Sequence, residues 1–162
     1  MFNLDHLDLT RMHERPWDDD RPSTADWARV LARFPIFAGV GKRRLRKLAR
    51  NARTAEFAPG ETIVYPGERR DVLYVILGGE ATAISRRRRR TLRTGDYFGE
   101  LTLIDGRPRS ETVVARGEVH VMELPSRAVL LLARRQPALT LALLENLTTQ
   151  VRHLEAERAR AA

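Results

Sequence analysis

Glycines that recur through the middle of the chain constrain its fold more than any other feature. They separate short runs rich in β-branched and aromatic residues, which lie at 63–65, 72–77, 81–85, 112–115 and 119–124. Runs of this kind, bounded by glycine and other turn residues, are typical of strands that pair in antiparallel sheets. The pattern therefore predicts an antiparallel β-sandwich or barrel between about residues 56 and 124.

Helical periodicity flanks the β-rich section on both sides. Asp26 is the candidate N-cap of a first helix, and a second helix is expected over residues 42–53. Pro125 ends the β-rich section, and the pattern after it predicts helices at 126–135 and 137–158. We therefore expect a mainly β fold with flanking helices, as one domain over residues 25–162 after a flexible N-terminal arm at 1–24.

Composition restricts the class of protein. The 162 residues are 43% hydrophobic, which suffices for one buried core but not for a receptor joined to a separate effector domain. The absence of cysteine excludes disulfides, thiolate metal sites and a cysteine nucleophile. No apolar run approaches the roughly 20 residues that span a bilayer, and the acidic N-terminus is unlike a secretory signal. The expected location is the cytoplasm.

Positive charge is concentrated in one run. Lysine and arginine total 29 against 21 acidic residues, a formal net charge of +8, and five consecutive arginines occupy positions 86–90. Clustered arginines attract nucleic acids and acidic membrane surfaces. No aromatic residue is interleaved with them and no helix-turn-helix follows, so we interpret the run as the solvated tip of a hairpin. We expect no sequence-specific nucleic acid partner.

Residues 95–112 carry the clearest functional signal. Gly99 follows a turn and opens a short helix, whose N-terminal N–H groups and dipole favour an anion. Ten residues later, Arg109 begins a strand and offers two parallel donors to a phosphate. Glu100 is an acceptor suited to a sugar hydroxyl. These residues describe a site for a phosphate and a ribose, although a glutamate and an arginine near a turn are also common on protein surfaces.

The phosphate-binding cassette of cyclic-nucleotide-binding domains resembles two segments here, GDYFGEL at 95–101 and RPRSET at 107–112. This family includes catabolite activator protein and the regulatory subunits of protein kinase A. The resemblance covers about residues 30–155, with further matching segments at 34–37, 57–63, 65–68 and 73–80. It implies an eight-stranded antiparallel β-roll (jelly roll) with N-terminal helices and a C-terminal helix. The β-roll would occupy about 56–124 and the C-terminal helices about 126–158.

The resemblance also implies a ligand and its contacts. The ligand is cAMP, with cGMP as the alternative, because Ser110 is not the threonine associated with cGMP selectivity in the kinase branch. The short helix and Arg109 hold the cyclic phosphate, Glu100 accepts from the ribose 2′-hydroxyl, and the C-terminal helix caps the base through Arg152, His153 or Leu154. The implied ligand-binding residues are Phe98, Gly99, Glu100, Leu101, Thr102, Arg109, Ser110 and Glu111.

Glu111 departs from the family pattern, which has a small residue, typically alanine, two positions after the arginine. Alternate side chains of a strand share a face, so Arg109 and Glu111 are expected on the same side. One interpretation is that the Glu111 carboxylate pairs with Arg109 and repels the phosphate, which weakens binding. The alternative is that Glu111 turns to solvent and leaves its backbone N–H available.

The last predicted helix carries an apolar seam with coiled-coil spacing, formed by Leu144, Leu147, Val151 and Leu154. The seam either packs on the β-section or forms a homodimer. The second arrangement is possible because Leu139 and Leu143 can serve the core while the seam stays free.

The sequence shows no catalytic constellation, so we do not expect an enzyme. His120 is the only histidine on a predicted strand and has no neighbouring histidine, so no metal site is expected either. The first of three hypotheses is a stand-alone sensor that signals to an unknown protein effector through movement of its C-terminal helix. The second is a degenerate fold that acts as an interaction or dimerisation module. The third is a fragment of a catabolite-activator-type regulator, disfavoured because the chain stops where a DNA-binding domain would begin.

Overall fold

The computed structural model describes residues 23–86 and 88–161, apart from the side chains of residues 154, 157 and 161. Its strands are β1 (Arg53–Phe57), β2 (Thr62–Val64), β3 (Val72–Gly78), β4 (Glu80–Ile84), β5 (Arg89–Arg93), β6 (Tyr97–Phe98), β7 (Thr112–Ala115) and β8 (Val119–Pro125). Its helices are α1 (Thr24–Leu31), α2 (Lys42–Ala49), α3 (Glu100–Asp105), α4 (Ser126–Ala133) and α5 (Pro137–Ala161), with a 3-10 turn at Pro35–Phe37.

The eight strands form two four-stranded sheets in which every pair is antiparallel. One sheet has the order β1-β8-β3-β6 and the other has the order β2-β7-β4-β5. The predicted fold class, a β-roll with flanking helices, is therefore confirmed. Apart from residues 23 and 24, the predicted flexible arm lies outside the described residues.

Strand β3 is buried on both faces, which explains why its sequence is an unbroken apolar run. Leu73, Val75 and Leu77 pack in a core shared with the helices. Tyr74 and Ile76 point the opposite way, into a second core between the two sheets. Side chains of a strand alternate between its faces, so a strand with a core on each side has no polar face to show in its sequence.

Element boundaries differ from the predictions at the N-terminal helices. Ser23, not Asp26, is the N-cap of α1; its hydroxyl accepts from the Asp26 N–H, and the Asp26 carboxylate accepts from the Ser23 N–H in a capping box. Helix α2 ends at Ala49 rather than at 53. Arg53 instead begins β1, opposite Glu123 of β8. The polar, largely exposed sequence of β1 concealed it from a search for apolar runs.

The arginine run is partly a strand. Arg89 and Arg90 begin β5, opposite Ile84 and Ala83 of β4. Arg86 is exposed, whereas the Arg90 side chain faces inward and is only 14% exposed. The interpretation of the run as a solvated hairpin tip is therefore wrong for Arg90, and Arg87 lies outside the described residues.

Helix α5 has one buried and one exposed apolar face. Leu139 and Leu143 belong to the core on the helix side, as predicted. In the predicted seam, Leu144 is 53% exposed and Val151 is 52% exposed, whereas Leu147 is half-buried. The Leu154 side chain is outside the described set. Within the described residues, no helix has the length and apolar composition that crossing a membrane requires.

Candidate functional site

A pocket lies beside α3, where β2, β6 and β7 come together. It is an open cleft with about 320 Å³ of empty space, which includes the solvent at its mouth. The structure places all eight sequence-predicted ligand residues around it. The lining residues are Val64, Phe98, Gly99, Glu100, Leu101, Thr102, Arg109, Ser110, Glu111 and Val113.

Backbone pairing and ring packing fix Arg109 in this pocket. Its N–H donates to the Glu68 carbonyl (2.9 Å), and its own carbonyl accepts from the Gly67 N–H (2.8 Å). The guanidinium carbon lies 5.6 Å from the centroid of the Tyr74 ring, which in turn stacks on Phe98 with centroids 4.8 Å apart. The cation therefore rests against an aromatic wall.

The Arg109 guanidinium is buried with part of its hydrogen-bonding capacity unused. Nη2 donates to the carbonyls of Arg70 (3.0 Å) and Val72. Nε and Nη1 have no hydrogen-bond partner in the described part of the chain. Burial lowers the pKa of Arg109, but a guanidinium remains charged at neutral pH. A buried cation with two unused donors favours an anion in the pocket.

Gly99 allows the guanidinium to lie against the backbone at the start of α3. Its φ of +92° is in the left-handed region, which glycine adopts without steric cost. A Cβ at this position would overlap the guanidinium, with Cζ of Arg109 only 2.9 Å away. Arg109 and the first turn of α3 are thereby brought together on one side of the pocket.

Glu100 is a buried acceptor that is linked to α5. The residue is 1% exposed, and its Oε1 accepts a hydrogen bond from Nε2 of Gln150. Oε2 has no hydrogen-bond partner among the residues described. Burying a carboxylate oxygen without a donor is costly, so the site is suited to a ligand hydroxyl.

Gln150 is the contact from the C-terminal helix that the sequence analysis missed. The predicted candidates Arg152 and His153 are exposed and do not line the pocket. A second bond from the same region joins α5 to β6, because the Tyr97 hydroxyl donates to the Ala142 carbonyl at 3.2 Å. Burial raises the pKa of Tyr97 to about 12, so this hydroxyl remains a donor at neutral pH.

Glu111 adopts neither of the arrangements predicted for it. It lines the pocket, but its Oε2 lies 3.3 Å from Nη2 of Arg90 in an ion pair. The predicted pairing with Arg109 is therefore wrong, and so is a Glu111 turned to solvent, because its side chain is only 22% exposed. Arg90 was missed because it lay within the arginine run. Its alternation with the buried Leu92 was the available signal.

His120 has two carboxylates beside it, away from this pocket. Nδ1 lies 3.8 Å from Oε1 of Glu56, and Nε2 lies 3.4 Å from Oε1 of Glu118. Glu56 is opposite His120 across the β1–β8 ladder, a neighbour that linear spacing does not reveal. Both glutamates are exposed, as is common for carboxylates on a sheet surface.

Comparison with known proteins identifies the fold. The chain is 34% identical over 97 residues to a cAMP-dependent protein kinase regulatory subunit of Emericella nidulans, an alignment that covers 58% of this chain and 24% of that protein. It thus spans about a quarter of the length of such curated relatives.

Solved structures match over more of the chain. PKAR CBD2 with bound Sp-2Cl-cAMPS superimposes with a TM-score of 0.69 and 25% identity, covering 82% of this chain and 92% of that one. Catabolite activator protein of Thermus thermophilus gives a TM-score of 0.66 and 25% identity, over 78% of this chain and 62% of that one. The family model described as "Cyclic nucleotide-binding domain" matches residues 54–136. The chain therefore belongs to the cyclic nucleotide-binding domain family, whose role is regulatory.

Proposed function

We propose that this domain is a sensor of cyclic nucleotides with cAMP as its ligand. The observation that carries the proposal is the pairing, in one pocket, of a buried guanidinium with two unused donors and a buried carboxylate with one unused oxygen. A 3′,5′-cyclic nucleotide carries a phosphate anion and a free 2′-hydroxyl in one rigid molecule. It would satisfy Arg109 through the phosphate and Glu100 through the hydroxyl.

The remaining pocket residues have roles consistent with this ligand. Backbone N–H groups in the first turn of α3, including those of Leu101 and Thr102, would add to the positive potential at the phosphate. Ser110 would donate through its backbone N–H and hydroxyl, and Phe98 would line the wall. The relatives with cAMP in their names support the same choice of ligand.

A calorimetric titration tests the proposal on protein refolded to remove carried-over nucleotide. We expect saturable binding of cAMP at about micromolar levels and weaker binding of cGMP. A 2′-deoxy analogue of cAMP should bind about tenfold or more weakly, because it leaves the Glu100 oxygen unpaired. Adenosine, which lacks the phosphate, is the matched control and should give no saturable heat. Equal binding of adenosine and cAMP, or no binding of either cyclic nucleotide, would contradict the proposal.

Signalling would pass through α5, which contacts the pocket through Gln150. A ligand hydroxyl on Oε2 of Glu100 leaves Oε1 bonded to Gln150, so ligand and helix would hold the same carboxylate. A ligand shifts α5 only if it binds more tightly when α5 is docked, with Gln150 bonded to Glu100. Because ligand and Gln150 would bond to the same carboxylate, we expect tighter binding in that docked position.

We predict that Gln150→Ala uncouples α5 from the ligand. In the wild-type protein, cAMP should slow amide hydrogen exchange in the second half of α5; in Gln150→Ala this protection should be largely lost, with a fall in affinity of only several-fold. Thr149→Ala is the matched control, because within the described part of the chain the Thr149 hydroxyl bonds to the Glu145 carbonyl of its own helix. Full ligand protection of α5 in Gln150→Ala would contradict this route.

A second candidate function, dimerisation or docking of a protein effector through α5, is favoured by the exposed Leu144 and Val151. We predict that the wild-type protein sediments as a dimer at micromolar concentration and that Leu144→Glu with Val151→Glu is monomeric. Leu131→Glu is the control, since Leu131 is equally exposed but lies on α4. A wild-type monomer would rule out the dimer, and dissociation by Leu131→Glu would place its interface elsewhere.

A further inference from the structure

The ion pair between Arg90 and Glu111 lies at the ligand pocket, and neither member has a role in the proposed contacts. Glu111 is one of the pocket-lining residues, as are Arg109 and Val113. Contrary to the prediction, Arg109 does not begin a strand: Arg109 and Glu111 lie in the segment just before β7, which begins at Thr112. Because a single residue separates them, their Cα atoms are at most about 7 Å apart, so the Glu111 carboxylate can reach the Arg109 guanidinium or a phosphate bound to it. An unpaired carboxylate at this position would therefore interfere with an anionic ligand.

The sheet places Arg90 where it can hold this carboxylate. Strand β4 lies between β7 and β5, and its residue Ala83 pairs with Val113 on one side and with Arg90 on the other. Strands lie about 4.8 Å apart, so Arg90 must extend its side chain across β4 to reach Glu111. The small, buried Ala83 leaves room for this crossing on the inner face.

The alternation of β5 decides which arginine of the run takes this position. Arg90 and Leu92 face inward, whereas Arg89 and Arg93 face solvent. Only one arginine of β5 therefore reaches the pocket carboxylate. Its Nε is buried and has no hydrogen-bond partner among the described residues, whereas its Nη2 forms the ion pair with Glu111.

We propose that Arg90 is a positioning residue of the nucleotide site. It neutralises Glu111 and holds it away from Arg109, which keeps the Arg109 guanidinium available for the phosphate. The inference rests on the proposed function and deepens it. The pocket region then contains two guanidinium and two carboxylate groups, and removal of Arg90 alone leaves an excess negative charge beside the phosphate.

A double-mutant cycle on the full chain tests this role, with cAMP affinity measured by calorimetry and folding by thermal unfolding. Arg90→Ala should weaken cAMP binding about tenfold or more, because Glu111 is then free to pair with Arg109 and to repel the phosphate. Glu111→Ala should bind at least as tightly as the wild type. The cAMP affinity of the double variant Arg90→Ala/Glu111→Ala should match that of Glu111→Ala to within about twofold. Such non-additivity would show that the two residues interact, because the effects of independent residues add.

Two further variants separate charge from folding. Arg89→Ala, which removes the adjacent outward-facing arginine, should leave affinity unchanged. Arg90→Ala/Glu111→Gln keeps a pocket side chain of the same size without its charge, and it should recover most of the affinity that Arg90→Ala loses. Recovery in this variant cannot arise from a general folding defect, because Arg90 is absent from both proteins.

The outcomes distinguish this inference from the proposed function. Wild-type protein that binds neither cAMP nor cGMP overturns both. Wild-type binding with an unchanged affinity in Arg90→Ala overturns only the role of Arg90. An affinity loss that persists in the double variant and in Arg90→Ala/Glu111→Gln also overturns it, because Arg90 would then act on the ligand directly or through the fold.

Discussion

Replacement of Arg109 by alanine is expected to abolish cAMP binding at micromolar concentrations while the domain stays folded. The guanidinium supplies two buried, unused donors to the pocket, and without it a phosphate would lie near Glu100 without the Arg109 cation. Loss of one partner of a desolvated ion pair weakens binding by about 30-fold to several thousand-fold. The backbone bonds of Arg109 to Gly67 and Glu68 do not depend on its side chain, so the turn should persist.

Two variants make the Arg109 experiment specific. Arg109→Lys keeps the charge but loses the planar fork and its bonds to the Arg70 and Val72 carbonyls, so its affinity should lie between wild type and alanine. Arg107 is an exposed arginine of the same loop that pairs with Asp105. Arg107→Ala should therefore bind cAMP as the wild type does. Calorimetry gives the affinities, and thermal unfolding reports on folding. Saturable cAMP binding by Arg109→Ala at wild-type strength would show that the phosphate is held elsewhere.

Gly99→Ala is expected to produce the second-largest effect, because it acts on the backbone and on Arg109 together. The φ of +92° costs an alanine about 1–2 kcal/mol. Its Cβ would also displace the guanidinium from the start of α3, since Cζ of Arg109 lies 2.9 Å from that position. We predict a fall in the free energy of unfolding of about 1–3 kcal/mol and a loss of affinity of about tenfold or more.

Gly106→Ala is the matched control for Gly99→Ala. Gly106 lies at the other end of α3 with a φ of +67°, and a Cβ there would meet no atom within 4 Å. Gly106→Ala should therefore lower the free energy of unfolding, measured by urea unfolding, without lowering the affinity for cAMP. Equal losses of affinity in the two variants would contradict a steric role for Gly99 against Arg109.

The sequence predicted the parts of the site that lie close together along the chain. Residues 98–102 and 109–111 are neighbours in one segment, and the family resemblance placed all eight at one pocket, where the structure also has them. The β-rich runs predicted five of the eight strands. Strands β1 and β5 were missed because exposed or charged side chains interrupt their apolar pattern, and β6 was missed because it has only two residues.

The partners of Arg90 and Gln150 could not be predicted because they are distant in sequence. Gln150 is 50 residues from Glu100, and its contact depends on how far α5 extends and which face it turns to the β-roll. The Arg90–Glu111 pair depends on the order β7-β4-β5 and on the register at Ala83. Linear spacing predicted that Glu111 lies near Arg109, and both line the pocket, although neither is on a strand. It offered no information about a side chain that reaches Glu111 from two strands away.

Because β3 is buried on both faces, the candidate pocket and the helices are packed against the same strand. Its Val72 carbonyl and Tyr74 ring hold the Arg109 guanidinium, while Leu73, Val75 and Leu77 pack in the same core as Leu139 and Leu143 of α5. Strand β3 alone therefore separates the Arg109 side of the sheet from the core that the sheet shares with the helices. If β3 shifted when a ligand filled the pocket, the helices packed on it would have to shift with it, and a β-roll without these helices would expose a hydrophobic stripe along β3.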